Sequence, residues 1–143
     1  MTRHRRQVFG RGIALMAVEA VAGVVGVQAV VGLGLYFMND DLAERTLVRL
    51  ARLGYPNGGV IRYIEDNPAL AERAIGTWVD PNAYGGVLAV TAAMMMPQLF
   101  AKLPVLRWRW LVLAVLGIVG VALVLTYSRA SMLAFGVGVL YIA

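Results

Sequence analysis

The chain has 143 residues, 60% of them hydrophobic and none cysteine, so it has neither a disulfide framework nor a thiolate metal site. A mean hydropathy of +0.73 exceeds what a water-soluble domain of this length needs, and the excess calls for a second apolar solvent. The net charge of +5 does not select nucleic acid, because the basic residues fall in short groups beside apolar runs, the pattern that orients membrane helices.

In chain order, Thr2-Arg3-His4-Arg5-Arg6 precedes an apolar run over residues 12–38 that only Glu19 and Gln28 interrupt. A charged start before an apolar run is also the form of a secretory signal, but this run is too long and has no small-residue cleavage site near Met38. Further apolar segments cover residues 83–101, 110–127 and 131–143. A hydrocarbon core about 30 Å thick needs about 20 helical residues, so the first three segments are long enough to span. The last, with about thirteen residues, is not, and the sequence predicts a chain cut short at its C-terminus. The predicted fold is all-α: one domain over residues 1–143, a polytopic transmembrane bundle of about four segments, the last incomplete. An outer loop over residues 39–82 carries short amphipathic helices.

Arginine and lysine set the orientation. Arg3, Arg5, Arg6 and Arg11 in the tail, and Lys102, Arg107 and Arg109 between the second and third segments, have no acid beside them, so both regions belong in the cytoplasm. The loop over residues 39–82 mixes acids and arginines and faces outward, as does the turn at Ser128-Arg129. Tyr36, Phe37, Tyr84, Trp108, Trp110 and Tyr127 fall at predicted segment ends, at headgroup level. Small residues at four-residue spacing, Gly85, Ala89 and Ala93 and again Ala130, Ala134 and Gly138, mark helix contacts. The triplet Met94-Met95-Met96 reads as packing rather than a ligand set.

Within the outer loop, Asp40 to Leu53 reads as an amphipathic helix lying on the membrane surface. Its apolar side is Leu42, Leu50 and Leu53, with Leu47 and Val48 beside it, and Asn39 or Asp40 caps it. Gly54 to Gly59 is a turn, residues 60–65 are too short to assign, and Asn67-Pro68 opens a second helical turn carrying Glu72 and Arg73.

Chemistry concentrates in two stretches. In the first, Arg73 to Asn82, Asp80 caps a helix with Pro81 at its first position, and the free N–H groups of that end favour anions. Gly76 leaves room for a backbone or a phosphate, and Arg73 adds a planar fork suited to phosphate oxygens. The second is Thr126 to Ser131, where Arg129 stands between two apolar runs and Ser128 or Ser131 caps the helix that follows. Each has a plainer role: a cap and a solvated arginine in the first, a headgroup anchor in the second. Glu19, an acid inside an apolar segment, has no assigned role, and His4 is solvated. No His, Asp or Glu set has metal-ligand spacing, and neither a Ser/His/Asp arrangement nor a phosphate-binding P-loop occurs.

Arg73-Ala-Ile-Gly76, then Asp80-Pro81-Asn82 opening a membrane helix, then Leu125-Thr126-Tyr127-Ser128-Arg129-Ala130 after the next crossing, together resemble the O-antigen ligase/polymerase family. These are multispanning bacterial glycosyltransferases of the GT-C type. The resemblance covers residues 73–143, about half of the chain. It implies transfer of a glycan from an undecaprenyl-diphosphate carrier to an acceptor hydroxyl, without metal, nucleotide or other cofactor, at the outer face of a bacterial inner membrane. The partners implied are membrane lipids, the undecaprenyl-diphosphate-linked glycan and its acceptor. Arg73 and Arg129 would hold the diphosphate, and Gly76, Asp80, Asn82 and Ser128 would shape the loops around it.

The sequence departs from the family in three ways. Tyr127 stands where glycine is frequent, and Ser131 breaks a run of small apolar residues. The large outer loop whose histidine is proposed as the base, expected after the fourth segment, does not occur in this chain, and fewer helices precede Arg73. No catalytic residue is therefore assigned within the chain, which alone is expected to be inactive. The alternative expectation is a noncatalytic membrane subunit or a transporter fragment.

Overall fold

The computed structural model describes residues 3–100 and 108–142. Lys102 and Arg107, part of the predicted inner basic loop, lie outside the described residues. The protein is mainly helical: α1 (Arg3–Tyr36), α2 (Asp40–Val48), α3 (Pro81–Met95), α4 (Pro97–Phe100), α5 (Arg109–Leu125) and α6 (Arg129–Ile142). The segment between α1 and α3 adds an antiparallel hairpin of β1 (Arg62–Tyr63) and β2 (Glu72–Arg73). Helix α1 begins well before its apolar run, because arginine and glutamine are good helix formers and carry it back to Arg3.

Among the described residues, two stretches are long and apolar enough to cross a membrane, Glu19–Tyr36 within α1 and Pro81–Phe100 across α3 and α4. Helices α5 and α6 have 17 and 14 residues, about 26 and 21 Å at 1.5 Å per residue, short of a core of about 30 Å. Between α3 and α4, the Met96 N–H still donates to the Ala92 carbonyl at 3.0 Å, and Pro97 then has no N–H to continue the ladder.

Helix α3 is central and packs against α6, α5 and α1. Its Tyr84, Leu88, Ala89 and Ala92 meet Val25 and Ala29 of α1 and Val119, Ala122 and Leu123 of α5. A smaller cluster joins Ala22, Met95 and Val112, so of the methionine triplet Met95 is packed and Met94 is exposed. The small residues do mark a close approach of α3 and α6. A Cβ on Gly85 would stand 2.8 Å from Ser131 Oγ, and one on Gly138 would stand 3.1 Å from Ala93 Cβ.

The segment between α1 and α3 has a core of its own. Asn39 caps α2, its Oδ1 accepting from Asp41 N at 3.0 Å. Past Val48 the chain tightens into a 3-10 turn over Arg49–Leu53, closed by Gly54 at φ +87°. The buried side of α2 is Ala43 and Leu47, not the expected Leu42, Leu50 and Leu53: Leu42 and Leu53 are exposed and Leu50 is half-buried. The reason is long-range, since Leu35, Val60 and Ile75 converge on the Ala43–Leu47 side.

The helical turn expected from Asn67-Pro68 is instead the tip of the hairpin. Asn67 Oδ1 accepts from Ala69 N at 3.0 Å, Leu70 N donates to Asn67 O at 2.9 Å, and Ile64 N donates to Ala71 O at 3.0 Å. These turn bonds satisfy the backbone locally and set Arg62 opposite Arg73 and Tyr63 opposite Glu72.

Candidate functional site

The end of the bundle that carries the α1–α3 segment also carries the N-termini of α3 and α6 and the C-terminus of α5. At the first of these, Asp80 accepts from Asn82 N at 2.9 Å and Pro81 occupies the first turn, as expected of a cap. At the corner between α5 and α6, Thr126 closes α5 and Tyr127 takes a left-handed φ of +50°. Helix α6 starts two residues later, with Met132 N donating to Ser128 O at 3.0 Å. Ser128 and Ser131 are both buried, their hydroxyls 2.8 Å apart, so the expected capping serines work as a pair. A non-glycine residue in the left-handed region costs about 1–2 kcal/mol, which accounts for glycine being the usual residue one step past a helix end.

Arg73 connects these pieces. Its Nε donates to the Thr126 carbonyl at 2.8 Å and its Nη2 to Asn82 Oδ1 at 2.9 Å, using two of the five N–H donors of a guanidinium. The neighbouring Ala74 N donates to Leu125 O at 2.8 Å, so β2 is stitched to the carbonyl end of α5, where the helix dipole favours a cation. Arg129 is exposed at the first residue of α6 and forms no hydrogen bond or ion pair among the described residues. A cation at a helix N-terminus gains nothing from the dipole, so this corner concentrates positive potential.

The structure brings the two arginines together. Arg73, Arg129, Asn82, Tyr127, Ala130, Ile64 and Glu65 line one cleft of about 360 Å³. An adjoining cleft of about 260 Å³ shares Arg73 and Asn82 and adds Arg62, Asp66, Val79, Asp80 and Pro81. Charges decide between them as anion sites. The second balances two arginines against two aspartates, with Arg62 and Asp66 3.9 Å apart, whereas the first sets two arginines against Glu65 alone.

At Gly76 the close neighbour is a side chain rather than a backbone or a phosphate. A Cβ there would lie 2.9 Å from the Tyr84 ring, so the open space is filled by that tyrosine rather than left for a phosphate, and φ at Gly76 is +56°. Tyr84, expected at headgroup level, is fully buried and donates to the Gln28 carbonyl at 2.9 Å, while Thr77 Oγ1 donates to Gln28 Oε1 at 2.9 Å. Gln28 is thereby the polar dock that holds the loop before α3 against α1. Its position inside an apolar run was the available signal. Glu19 is exposed on α1 and has no partner among the described residues.

Sequence reasoning also missed Glu65 and Glu72. Glu65 lines the cleft from the hairpin tip at φ +57°. Glu72 sits beside Arg73, half-buried, and burial followed by the nearby Asp40 carboxylate pushes its carboxyl from an ordinary 4.5 up to about 7. Asp40 itself accepts from the Tyr63 hydroxyl at 2.7 Å, which pushes that phenol up to about 12.

The folded chain therefore keeps the Glu72 proton over a range in which the unfolded chain has released it, and stability falls as pH rises from about 4.5 to about 7. Below that window both states are protonated and the penalty vanishes. Glu72→Gln is expected to raise the thermal midpoint at pH 8 and to leave it unchanged at pH 4, read by unfolding scans of the detergent-purified chain. A difference of equal size at both pH values would refute the buried-carboxyl account.

Comparison with protein-family models, curated proteins and solved structures finds no match to this chain.

Proposed function

We propose that the chain forms the donor-diphosphate site of a membrane glycosyltransferase of the lipid-linked glycan ligase or polymerase kind, acting on an undecaprenyl-diphosphate glycan. In this reading the protein is a multi-pass bundle of about four segments in a bacterial inner membrane, with the N-terminus cytoplasmic and residues 39–82 on the outer face. The supporting observation is the cleft lined by Arg73, pinned by Thr126 and Asn82, and by Arg129, which has no partner among the described residues, beside the N-termini of α3 and α6.

The chemistry assigned to that cleft is limited and specific. An acceptor hydroxyl attacks the anomeric carbon of the glycan, and the bond from that carbon to the diphosphate oxygen breaks. The electron pair leaves on the undecaprenyl diphosphate, and the hydroxyl proton passes to a base or to water. Negative charge grows on the leaving diphosphate, where guanidinium groups already in place stabilise it without reorganising. A pinned Arg73 presents its remaining donors in a fixed direction, while Arg129 adds a second fork.

The test is binding. The purified chain in nanodiscs, titrated with undecaprenyl diphosphate and with undecaprenyl monophosphate, is expected to prefer the diphosphate by about tenfold, the effect of one added charge-assisted contact. Affinity should fall as salt rises. Equal affinity for the two lipids would overturn the reading.

A further inference from the structure

Among the described residues, three non-glycine positions take a positive φ: Glu65, Asp66 and Tyr127. Glu65 and Tyr127 line the cleft that holds Arg73 and Arg129, and Asp66 lines the adjoining one. Strained backbone is thus concentrated around one site, where unusual side chains are kept in place of the glycine that such geometry favours. A diphosphate explains neither of the two. Glu65 carries the wrong charge for an anion, and an aromatic ring offers phosphate oxygens nothing.

Both residues suit a sugar. Tyr127 is 41% exposed and lines the cleft, so a ligand there can reach it. An aromatic face carries partial negative charge and meets the C–H face of a pyranose favourably. The Glu65 carboxylate accepts hydrogen bonds from sugar hydroxyls, and the Asn82 side chain lies in the same cleft.

We propose that Tyr127 and Glu65 form the subsite for the sugar directly attached to the carrier diphosphate, Tyr127 as its stacking platform and Glu65 as a hydroxyl acceptor. This rests on the reading of the cleft as a diphosphate site.

The experiment compares undecaprenyl diphosphate bearing one N-acetylglucosamine with bare undecaprenyl diphosphate, both bound to the full chain in nanodiscs. The wild-type chain should bind the sugar-bearing lipid about three- to tenfold more tightly, in the range of an aromatic contact. Tyr127→Gly suits the left-handed backbone, and in it that ratio should fall to about one. Tyr127→Phe keeps the ring and should keep the ratio above two, and Glu65→Ala should lower it. A wild-type ratio of one, or a Tyr127→Gly chain that weakens both lipids equally, overturns the subsite. Failure of the wild-type chain to bind either lipid overturns the diphosphate site itself, and the subsite with it.

Discussion

Arg129→Ala is expected to weaken binding of undecaprenyl diphosphate by about tenfold to a hundredfold, the range for losing a charge-assisted contact to a phosphate oxygen. The same substitution should shift the thermal midpoint by no more than about 2 °C, because the side chain is exposed and holds nothing else in place. Arg129→Lys should fall between, keeping the charge and losing the planar fork. Arg73→Ala makes the contrast: it also removes the bonds to Thr126 and Asn82, so affinity and midpoint should fall together. In a transfer-competent protein that contains this chain, Arg129→Ala should abolish transfer while the protein is still expressed. Unchanged affinity and unchanged transfer in Arg129→Ala would remove the arginine pair from the proposal.

The largest structural effect is expected at two glycines that face one tyrosine. Tyr84 lies between α1 and the loop that precedes α3. A Cβ on Gly32 would enter its phenol oxygen, and one on Gly76 would meet its ring at 2.9 Å. Overpacking of this kind costs about 1–3 kcal/mol, and losing the Tyr84–Gln28 bond adds about 1 kcal/mol. At Gly76 the left-handed φ of +56° adds about 1–2 kcal/mol for any residue with a Cβ. Gly32→Ala and Gly76→Ala should therefore each lower the thermal midpoint strongly and reduce the monodisperse fraction in detergent. Tyr84→Leu vacates the ring space, so Gly76→Ala added to Tyr84→Leu should cost less than Gly76→Ala alone, a coupling measurable by a double-mutant cycle. Strict additivity would show that the ring is not what makes glycine necessary at residue 76.

How much of this was open to sequence reading varied with the range of the interaction involved. Asp80-Pro81 as a helix start is a local matter of one side chain and its own next amides, and so is Asn39 as the cap of α2. The small-residue spacing on α3 and α6 was readable because close helix packing leaves a periodic signature. The buried side of α2 was not. The helix carries apolar residues on more than one side, and Val60 and Ile75, distant along the chain, select Ala43 and Leu47. The hairpin was missed for a related reason: two-residue strands are too short to show alternation, and the bonds at Asn67 and Ile64 decide the turn.

The candidate site divides in the same way. From sequence alone follow the helical character and the choice of Arg73 and Arg129 as the arginines to watch, because hydropathy, capping chemistry and charge placement are written residue by residue. Of the three segments expected to be long enough to span, two are long and apolar enough among the described residues. Only the tertiary structure decides that the two arginines line one cleft, that Arg73 is pinned while Arg129 is exposed, and that Gly76 makes room for Tyr84. It also brings Glu65 and Tyr127 to the same wall. Those are contacts between residues up to tens of positions apart. No local pattern specifies them, because they depend on how β2, α3, α5 and α6 close around one corner.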